Sequence, residues 1–399
     1  MSASVPVVRE ASRSHRKFFE LDLLDNRYPA LHGMRVLAIV SVVQFHVTQN
    51  SQDDPTIALD PVWAERSTNI FFGMDLFFVL SGFLIGSILL RSIETSGSQQ
   101  VRRFYLRRAF RTFPSYYLGL TYLYLLRRFW NVPIRFPVLY EYVYLTDYQH
   151  VQEAVMPWGW SLAVEEKFYL VVPFLFFLLR MLRTGRARLA MLLAMWASAP
   201  AVRLGIFLGH SGWTIDGVSD ALYFPSHSRY DTLVAGIILA FVQHHWREPI
   251  ARWLESRLAR TMMCAVVAAC LVPLLAPNLF GKGLLLVVFN WGTVTTIMYF
   301  VLVLLVLNRR DGWIPRFLSA NAFRQLATLG YGVYLVHTPL FMWLVRPVVR
   351  WLRVSRGSSM GVVWPVSVVL TLALSFWWAY GLHLFVEKPS LRLRDRVAG

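Results

Sequence analysis

Residues 284–307, LLLVVFNWGTVTTIMYFVLVLLVL, and residues 362–385, VVWPVSVVLTLALSFWWAYGLHLF, contain no Asp, Glu, Lys or Arg. Each stretch is longer than the roughly 18 apolar residues that a helix needs to cross a bilayer. In the whole chain of 399 residues, hydrophobic types make up 56% and charged types only 16%, against about a quarter charged in a soluble domain. This composition excludes a disordered chain and argues against a soluble enzyme. The sequence therefore predicts an all-α, polytopic integral membrane protein.

Ten segments are apolar enough to predict membrane spans, with ends defined to about two to four residues. They are residues 34–48, 69–90, 113–126, 160–179, 189–208, 232–242, 261–276, 284–307, 326–345 and 362–385. Some are shorter than a free span of about 20 residues, so flanking residues must extend them. The predicted organisation is a tail (residues 1–32), a transmembrane domain (33–387) and a second tail (388–399). The polar, charged first tail predicts no cleavable signal peptide.

Lys and Arg divide unevenly between the two sides of these spans. The two tails and the segments on their side carry 27 of them, and the opposite segments carry 10. Because positive charge is retained in cytoplasmic segments, we expect both termini in the cytoplasm and the protein in the cell (inner) membrane. This bias accounts for the net charge of +17 without a nucleic-acid partner. Four arginines fall on the outer side, where they face lipid headgroups or attract an anionic acceptor: Arg346, Arg350, Arg353 and Arg356.

Ionisable side chains inside spans are costly and usually mark function. Arg35 and His46 lie eleven residues apart on the first span, and eleven helical steps of about 100° return to nearly the same face, about 16 Å further along. Asp75, Glu165 and His337 are predicted at about the depth of His46. The sequence therefore predicts a site in the outer half of the membrane. The alternative is that such groups serve only as hydrogen-bond partners between helices.

Arginines are clustered on the inner side. They are Arg102, Arg103, Arg107, Arg108 and Arg111. Arg108 and Arg111 are three residues apart and share one face of a helix, and guanidinium groups bind phosphate oxygens bidentately. The pair predicts a phosphate site, with anchoring to anionic lipid as the alternative. Cys264 and Cys270 suggest neither a disulfide framework nor a metal site.

Six short motifs contain most of these residues in a fixed order. They are residues 31–46 (LHGMRVLAIVSVVQFH), 72–85 (FGMDLFFVLSGFLI), 107–114 (RRAFRTFP), 160–169 (WSLAVEEKFY), 331–337 (YGVYLVH) and 387–389 (EKP). Together they resemble the acyltransferase 3 family of membrane acyltransferases, from about residue 31 to residue 389. Two positions depart from the family pattern. His32 stands where the family commonly has Asp, and Gly330 stands where a Ser often precedes the Tyr.

The resemblance implies transfer of an acyl group, usually acetyl, from acyl-CoA to a hydroxyl of a carbohydrate or glycosylated acceptor. Acyl-CoA would be a co-substrate, with no permanently bound cofactor and no metal. The family's His and its two Arg positions map onto His46, Arg108 and Arg111.

The predicted roles of the candidate residues divide into three groups. His46 would be the general base, with Asp75 or Glu165 orienting it, and a covalent acyl-His intermediate is an alternative to direct transfer. Arg35, Arg107, Arg108 and Arg111 would bind acyl-CoA. The remaining candidates would bind the acceptor: Arg229, Asp231, Tyr334 and His337.

Two other function classes fit the composition. A transporter or flippase for a lipid-linked or anionic glycan also has many spans with buried ionisable groups. Such a protein does not need the inner arginine pair aligned with Arg35 and His46. A sensor or scaffold with a degenerate site is disfavoured, because His46, Glu165 and the arginine pair are all present.

Overall fold

In the computed structural model, the residues described are 19–68, 73–95, 98–275, 290–309 and 312–397. All regular structure in them is helical. The helices are α1 (Pro29–Ser51), α2 (Pro61–Thr68), α3 (Gly73–Thr95), α4 (Ser98–Phe129), α5 (Leu139–Tyr142), α6 (Trp160–Met181), α7 (Gly185–Leu208), α8 (Ile215–Val218), α9 (Ser226–Trp253), α10 (Arg257–Leu275), α11 (Thr295–Asn308), α12 (Trp313–Leu318), α13 (Asn321–Leu340), α14 (Arg346–Ser355), α15 (Met360–Leu382) and α16 (Lys388–Val397). Short 3₁₀ turns span Thr146–Tyr148, Val151–Glu153 and Pro157–Gly159, and π turns span Ser219–Tyr223, Asn290–Val294, Phe341–Val345 and His383–Glu387.

The all-helical prediction is confirmed for the described residues, and a helix lies on each of the ten predicted spans. Parts of three predicted spans, residues 69–72, 276 and 284–289, lie outside the described residues, as do residues 1–18 and 398–399 of the predicted tails. Within the described residues, five helices are long and apolar enough to cross a membrane, those built on α1, α3, α7, α13 and α15. The protein is therefore a multi-pass membrane protein, while the count of ten spans and the side of the termini stay predictions.

Helices α3 and α9 make the closest backbone contact in the bundle through two glycines. A Cβ atom on Gly82 would lie 2.0 Å from the carbonyl oxygen of Leu233, and one on Gly236 would lie 2.2 Å from that of Val79. Small residues allow such close approach between helices in a membrane, where van der Waals packing replaces the hydrophobic effect. This contact fixes α3, which contains Asp75 and Ser81, against α9, which contains Arg229 and Asp231.

Helix α13 is packed between α1 and α15 in the same way. A Cβ atom on Gly330 would lie 2.5 Å from Cδ1 of Ile39 in α1, and one on Gly332 would lie 2.9 Å from Cβ of Ala379 in α15. A Ser at position 330 would therefore require the Cδ1 end of Ile39 to move aside. The close packing fixes the part of α13 that contains Tyr334 and His337 against α1, which contains His46.

The segment between α4 and α6 is organised by two buried carboxylates. Glu141 accepts hydrogen bonds from the backbone N–H groups of Val155 and Met156, at 2.7 and 2.9 Å. Asp147 accepts hydrogen bonds from the backbone and hydroxyl of Ser226 and pairs with Lys167. These bonds satisfy buried charges that would otherwise be costly. They hold residues 139–159 in a defined arrangement at one end of the bundle.

Candidate active site

The larger cavity, here called the histidine cavity, has a volume of about 740 Å³. It lies between α1, the segment before α6, the π turn Ser219–Tyr223 and α13. Aromatic rings form much of its wall, namely Phe45, Trp158, Trp160, Tyr223 and Phe224. Polar side chains also line it, among them His46, Gln49, Asn50, Asp53, His150, Gln152, Glu153 and Asp220. The lining thus combines flat apolar faces with hydrogen-bonding groups.

His46 and His337 form a hydrogen-bonded pair at this cavity. Nδ1 of His46 lies 2.9 Å from Nε2 of His337, and Nδ1 of His337 donates to the backbone carbonyl of Tyr334 at 2.7 Å. His46 is half-buried and lines the cavity, whereas His337 is 0% exposed and is not among the lining residues. The prediction that the two imidazoles lie at one depth agrees with this contact. The sequence does not predict the direct hydrogen bond between them.

A smaller cavity of about 120 Å³, the arginine cavity, contains the predicted phosphate-binding residues Arg35, Arg108 and Arg111. The Arg108 guanidinium lies over the ring of Tyr169, 4.8 Å from its centroid. Arg107 is exposed and does not line this cavity. Apolar and aromatic side chains complete the wall, including Phe77, Phe78, Leu84, Ile85 and Tyr331.

The two cavities adjoin, because Met74 and Tyr334 line both of them. The Tyr334 hydroxyl donates to the carbonyl oxygen of Trp158 at 2.6 Å and lies 2.5 Å from Oγ of Ser161. Oγ of Ser161 lies in turn 3.4 Å from the same carbonyl oxygen, so the two hydroxyls and the carbonyl form one hydrogen-bonded group. Tyr334 is thereby held in one orientation at the junction between the arginines and His46.

Neither carboxylate predicted to orient His46 has a described hydrogen bond to it. Asp75 pairs with Arg229, and both side chains are buried. Glu165 lines the arginine cavity, where it accepts hydrogen bonds from the hydroxyls of Ser81, at 2.5 Å, and Tyr169. Depth along a helix was predictable from the sequence, but the direction in which each side chain points was not.

Arg229 and Asp231 belong to a buried charge cluster that does not line either cavity. Arg203 donates to Asp231 at 2.8 Å, while Arg229 pairs with Asp75. Gly292 borders the cluster with a φ of +108°, and a Cβ atom there would lie 3.0 Å from Nη1 of Arg229. Two cations and two anions are therefore neutralised together, as buried charges require.

This buried charge cluster packs against the aromatic wall of the histidine cavity. The Arg229 guanidinium lies over the ring of Tyr223, 4.5 Å from its centroid, and Tyr223 lines the cavity. The Tyr223 ring packs in turn against Trp160, with 5.1 Å between ring centroids. Arg229 thus contacts the aromatic wall of the cavity through Tyr223 and is not itself among the lining residues, while its predicted role in acceptor binding stays a prediction.

Two titratable groups outside the predicted spans have pKa values shifted by neighbouring polar groups. His150, at the rim of the histidine cavity, makes a 2.7 Å contact with Asp220, and this carboxylate raises the pKa of His150 above its ordinary value. Asp54 accepts hydrogen bonds from Thr56 that lower the pKa of its carboxyl. Asp54 also lies 3.5 Å from Arg346, so this outer arginine faces a carboxylate of the protein itself.

Comparisons with known proteins give a consistent assignment. The profile of the family described as an acyltransferase domain matches residues 28–383. Peptidoglycan O-acetyltransferase OatA of Listeria monocytogenes is 25% identical over 391 residues, which covers 90% of this chain and 55% of the relative. The putative peptidoglycan O-acetyltransferase YrhL of Bacillus subtilis is 26% identical over 388 residues, 91% of this chain and 55% of the relative.

A putative O-acetyltransferase of Staphylococcus aureus is 28% identical over 228 residues, 54% of this chain and 34% of the relative. The chain therefore spans about half the length, or less, of these curated relatives. No solved structure matches it.

Proposed function

The chain belongs to the acyltransferase domain family, and from this membership we propose that it is a membrane-embedded O-acyltransferase. It would move an acyl group, acetyl as in the names of its relatives, from acyl-CoA to a hydroxyl of a carbohydrate such as a peptidoglycan glycan. One observation carries the proposal. A cavity with three arginines adjoins a cavity with an accessible imidazole, and Met74 and Tyr334 line both.

The donor would bind in the arginine cavity, on the cytoplasmic side in the predicted orientation. Arg108 and Arg111 would hold phosphate oxygens of acyl-CoA, since planar guanidinium groups pair bidentately with phosphate. Arg35, which belongs to helix α1, lines the same cavity. The apolar part of the wall suits the pantetheine arm, which would carry a short acyl group towards Tyr334.

The acceptor would bind in the histidine cavity. The rings of Trp158, Trp160 and Tyr223 offer apolar faces on which the C–H face of a sugar ring can pack, while neighbouring polar groups bind hydroxyls. The described lining includes the carboxylates of Asp53, Glu153 and Asp220 but no Lys or Arg. Glu153 pairs with Arg135 and Asp220 with His150, so Asp53 and the lack of a Lys or Arg in this described lining are what favour neutral sugars over sugars that carry phosphate or carboxylate groups.

The reaction would follow from the position of His46. The imidazole takes the proton of the acceptor hydroxyl as the hydroxyl oxygen attacks the thioester carbonyl. The C–S bond of the tetrahedral intermediate then breaks, the ester forms, and the imidazolium returns the proton to the CoA thiolate. Direct transfer needs no covalent enzyme intermediate, and an acyl-His46 intermediate is the alternative.

The test is CoA release by the purified protein in detergent, with acetyl-CoA and a panel of glycan acceptors. We expect acceptor-dependent release that falls by at least about 10²-fold in His46→Gln, because a general base contributes about 10²–10⁴-fold. Donor affinity should be unchanged in this variant. His210→Gln is the matched control, because His210 is exposed and does not line either cavity.

Two outcomes would contradict the proposal. Equal turnover in His46→Gln and wild type would remove the role of His46 as the base. If the wild type shows no CoA release and no binding of acetyl-CoA, this result would favour a transporter or flippase for a lipid-linked or anionic glycan.

A further inference from the structure

We propose that His337 is a positioning residue that keeps the hydrogen of neutral His46 on Nδ1, so that Nε2 is the nitrogen that accepts the substrate proton. The inference rests on the proposed function, because it assigns how the base of that reaction is prepared. It gives His337 a role different from the acceptor contact that the sequence suggested.

The assignment follows from the number of hydrogens that each group has. The Tyr334 carbonyl oxygen can only accept, so the Nδ1 atom of His337 that lies 2.7 Å away must carry a hydrogen. A neutral imidazole has a single N–H, and Nε2 of His337 therefore has a free lone pair. Since Nδ1 of His46 lies 2.9 Å from that lone pair, it must be the donor. Nε2 of His46 is then unprotonated, which is the state that a general base requires.

Burial explains why His337 stays neutral and does not itself react. Its side chain is 0% exposed, and the ring of Trp158 packs against it with 6.0 Å between ring centroids. An imidazolium there would lose its hydration without a described carboxylate to pair with. His46, in contrast, lines the histidine cavity and His337 does not, so of the two rings only His46 is placed to meet the acceptor.

The arrangement resembles a triad in function, but the third group is a neutral backbone carbonyl instead of a carboxylate. The Tyr334 carbonyl fixes the tautomer of His337, and His337 fixes that of His46 together with the backbone of Val42, with which His46 is also hydrogen-bonded. The chain of hydrogen bonds adds no net charge to the interior of the helical bundle. It also explains how His46 is oriented while Asp75 and Glu165 are engaged with Arg229 and with hydroxyl groups.

Three substitutions of His337 separate positioning from packing. The amide of Gln reaches the place of Nε2 and can accept from His46, whereas the shorter amide of Asn reaches the place of Nδ1 and can only replace the bond to Tyr334. Leu replaces neither bond. We expect kcat to fall by about 10²-fold in His337→Asn and His337→Leu but by less than about tenfold in His337→Gln. The KM values for acetyl-CoA and for the acceptor should stay within about twofold.

The control is His383→Gln, which alters another buried histidine, one that is hydrogen-bonded to Glu387 and lines neither cavity. Its kcat should equal that of wild type. If Asn restores activity as well as Gln does, or if all three His337 variants raise the KM for acceptor at constant kcat, then His337 does not act by positioning. Acetyl-CoA binding by each variant shows that it is folded.

A spectroscopic measurement tests the proposal without turnover. In ¹⁵N-histidine-labelled protein at neutral pH, the His46 signals, identified by their loss in His46→Gln, should show a protonated Nδ1 and an unprotonated Nε2. His337→Gln should keep this pattern and His337→Leu should mix it with the opposite tautomer. The opposite tautomer in wild type would overturn the proposal whether or not the protein proves to be an acyltransferase. Absence of CoA release with the expected tautomer would overturn only the proposed function.

Discussion

Replacement of Arg108 and Arg111 by Ala is expected to weaken the binding of CoA while the protein remains folded. Both side chains line the arginine cavity and are half-buried. A hydrogen bond to a charged group contributes about 1.5–3 kcal/mol, and partial exposure favours the lower end of that range. Two such arginines would therefore account for about 3 kcal/mol, which corresponds to a rise in Kd of about 10²-fold.

The assay is isothermal titration of CoA into detergent-solubilised wild type and double variant, at two salt concentrations. Arg108→Lys with Arg111→Lys retains the charges but not the planar fork, so we expect an intermediate loss of about tenfold. Arg128→Ala is the control, since Arg128 is exposed at the opposite end of the same helix. A Kd within about threefold of wild type for the alanine double variant would refute the phosphate role, and the pair would then serve only in topology or lipid anchoring.

Three further predictions concern the rim, the helix contact and the acceptor. Because Asp220 raises the pKa of His150 above its ordinary value of about 6.5, their pairing should stabilise the protein below about pH 6.5 and lose this effect as the pH rises through the higher folded-state pKa. The melting temperature should thus exceed that of His150→Ala by more at about pH 5.5 than at about pH 9, by a small margin because His150 is largely exposed; an equal difference at both pH values would contradict the pairing. Gly82→Ala should destabilise the bundle by about 1–3 kcal/mol, measured by thermal unfolding beside Gly119→Ala, where a Cβ atom would meet nothing within 4 Å. Among acceptors that differ only in a carboxylate or phosphate group, the uncharged one should show the lower KM, and a preference for the anionic one would contradict the charge pattern of the histidine cavity.

Helix positions were predictable from the sequence, because long apolar runs leave few alternatives in a bilayer. A helix lies on every predicted span in the described residues, and His46 does lie at a cavity that adjoins the one containing Arg35 and Arg108. The depth of each ionisable side chain follows from its residue number, since each helical residue advances by a fixed rise. Predicting these parts of the site requires no knowledge of how the helices pack.

The partners of the buried charges could not be predicted in this way. Asp75 and Glu165 lie at suitable depths, yet Asp75 is paired with Arg229 and Glu165 with Ser81. Which side chains meet depends on how neighbouring helices are rotated about their axes, and close glycine contacts such as that of Gly82 with α9 set this rotation. Sequence periodicity within one helix does not contain that information.

The junction at Met74 and Tyr334 has a consequence for the membrane as an electrical insulator. Where two cavities adjoin inside a membrane-spanning bundle, the layer of packed side chains that separates them is thin. Moving one charge across a potential of 100 mV releases about 2.3 kcal/mol, so even a narrow aqueous connection would dissipate the proton gradient. Tyr334, whose hydroxyl is held by Trp158 and Ser161, lies at this junction, and we expect its side chain to keep the connection between the two cavities narrow.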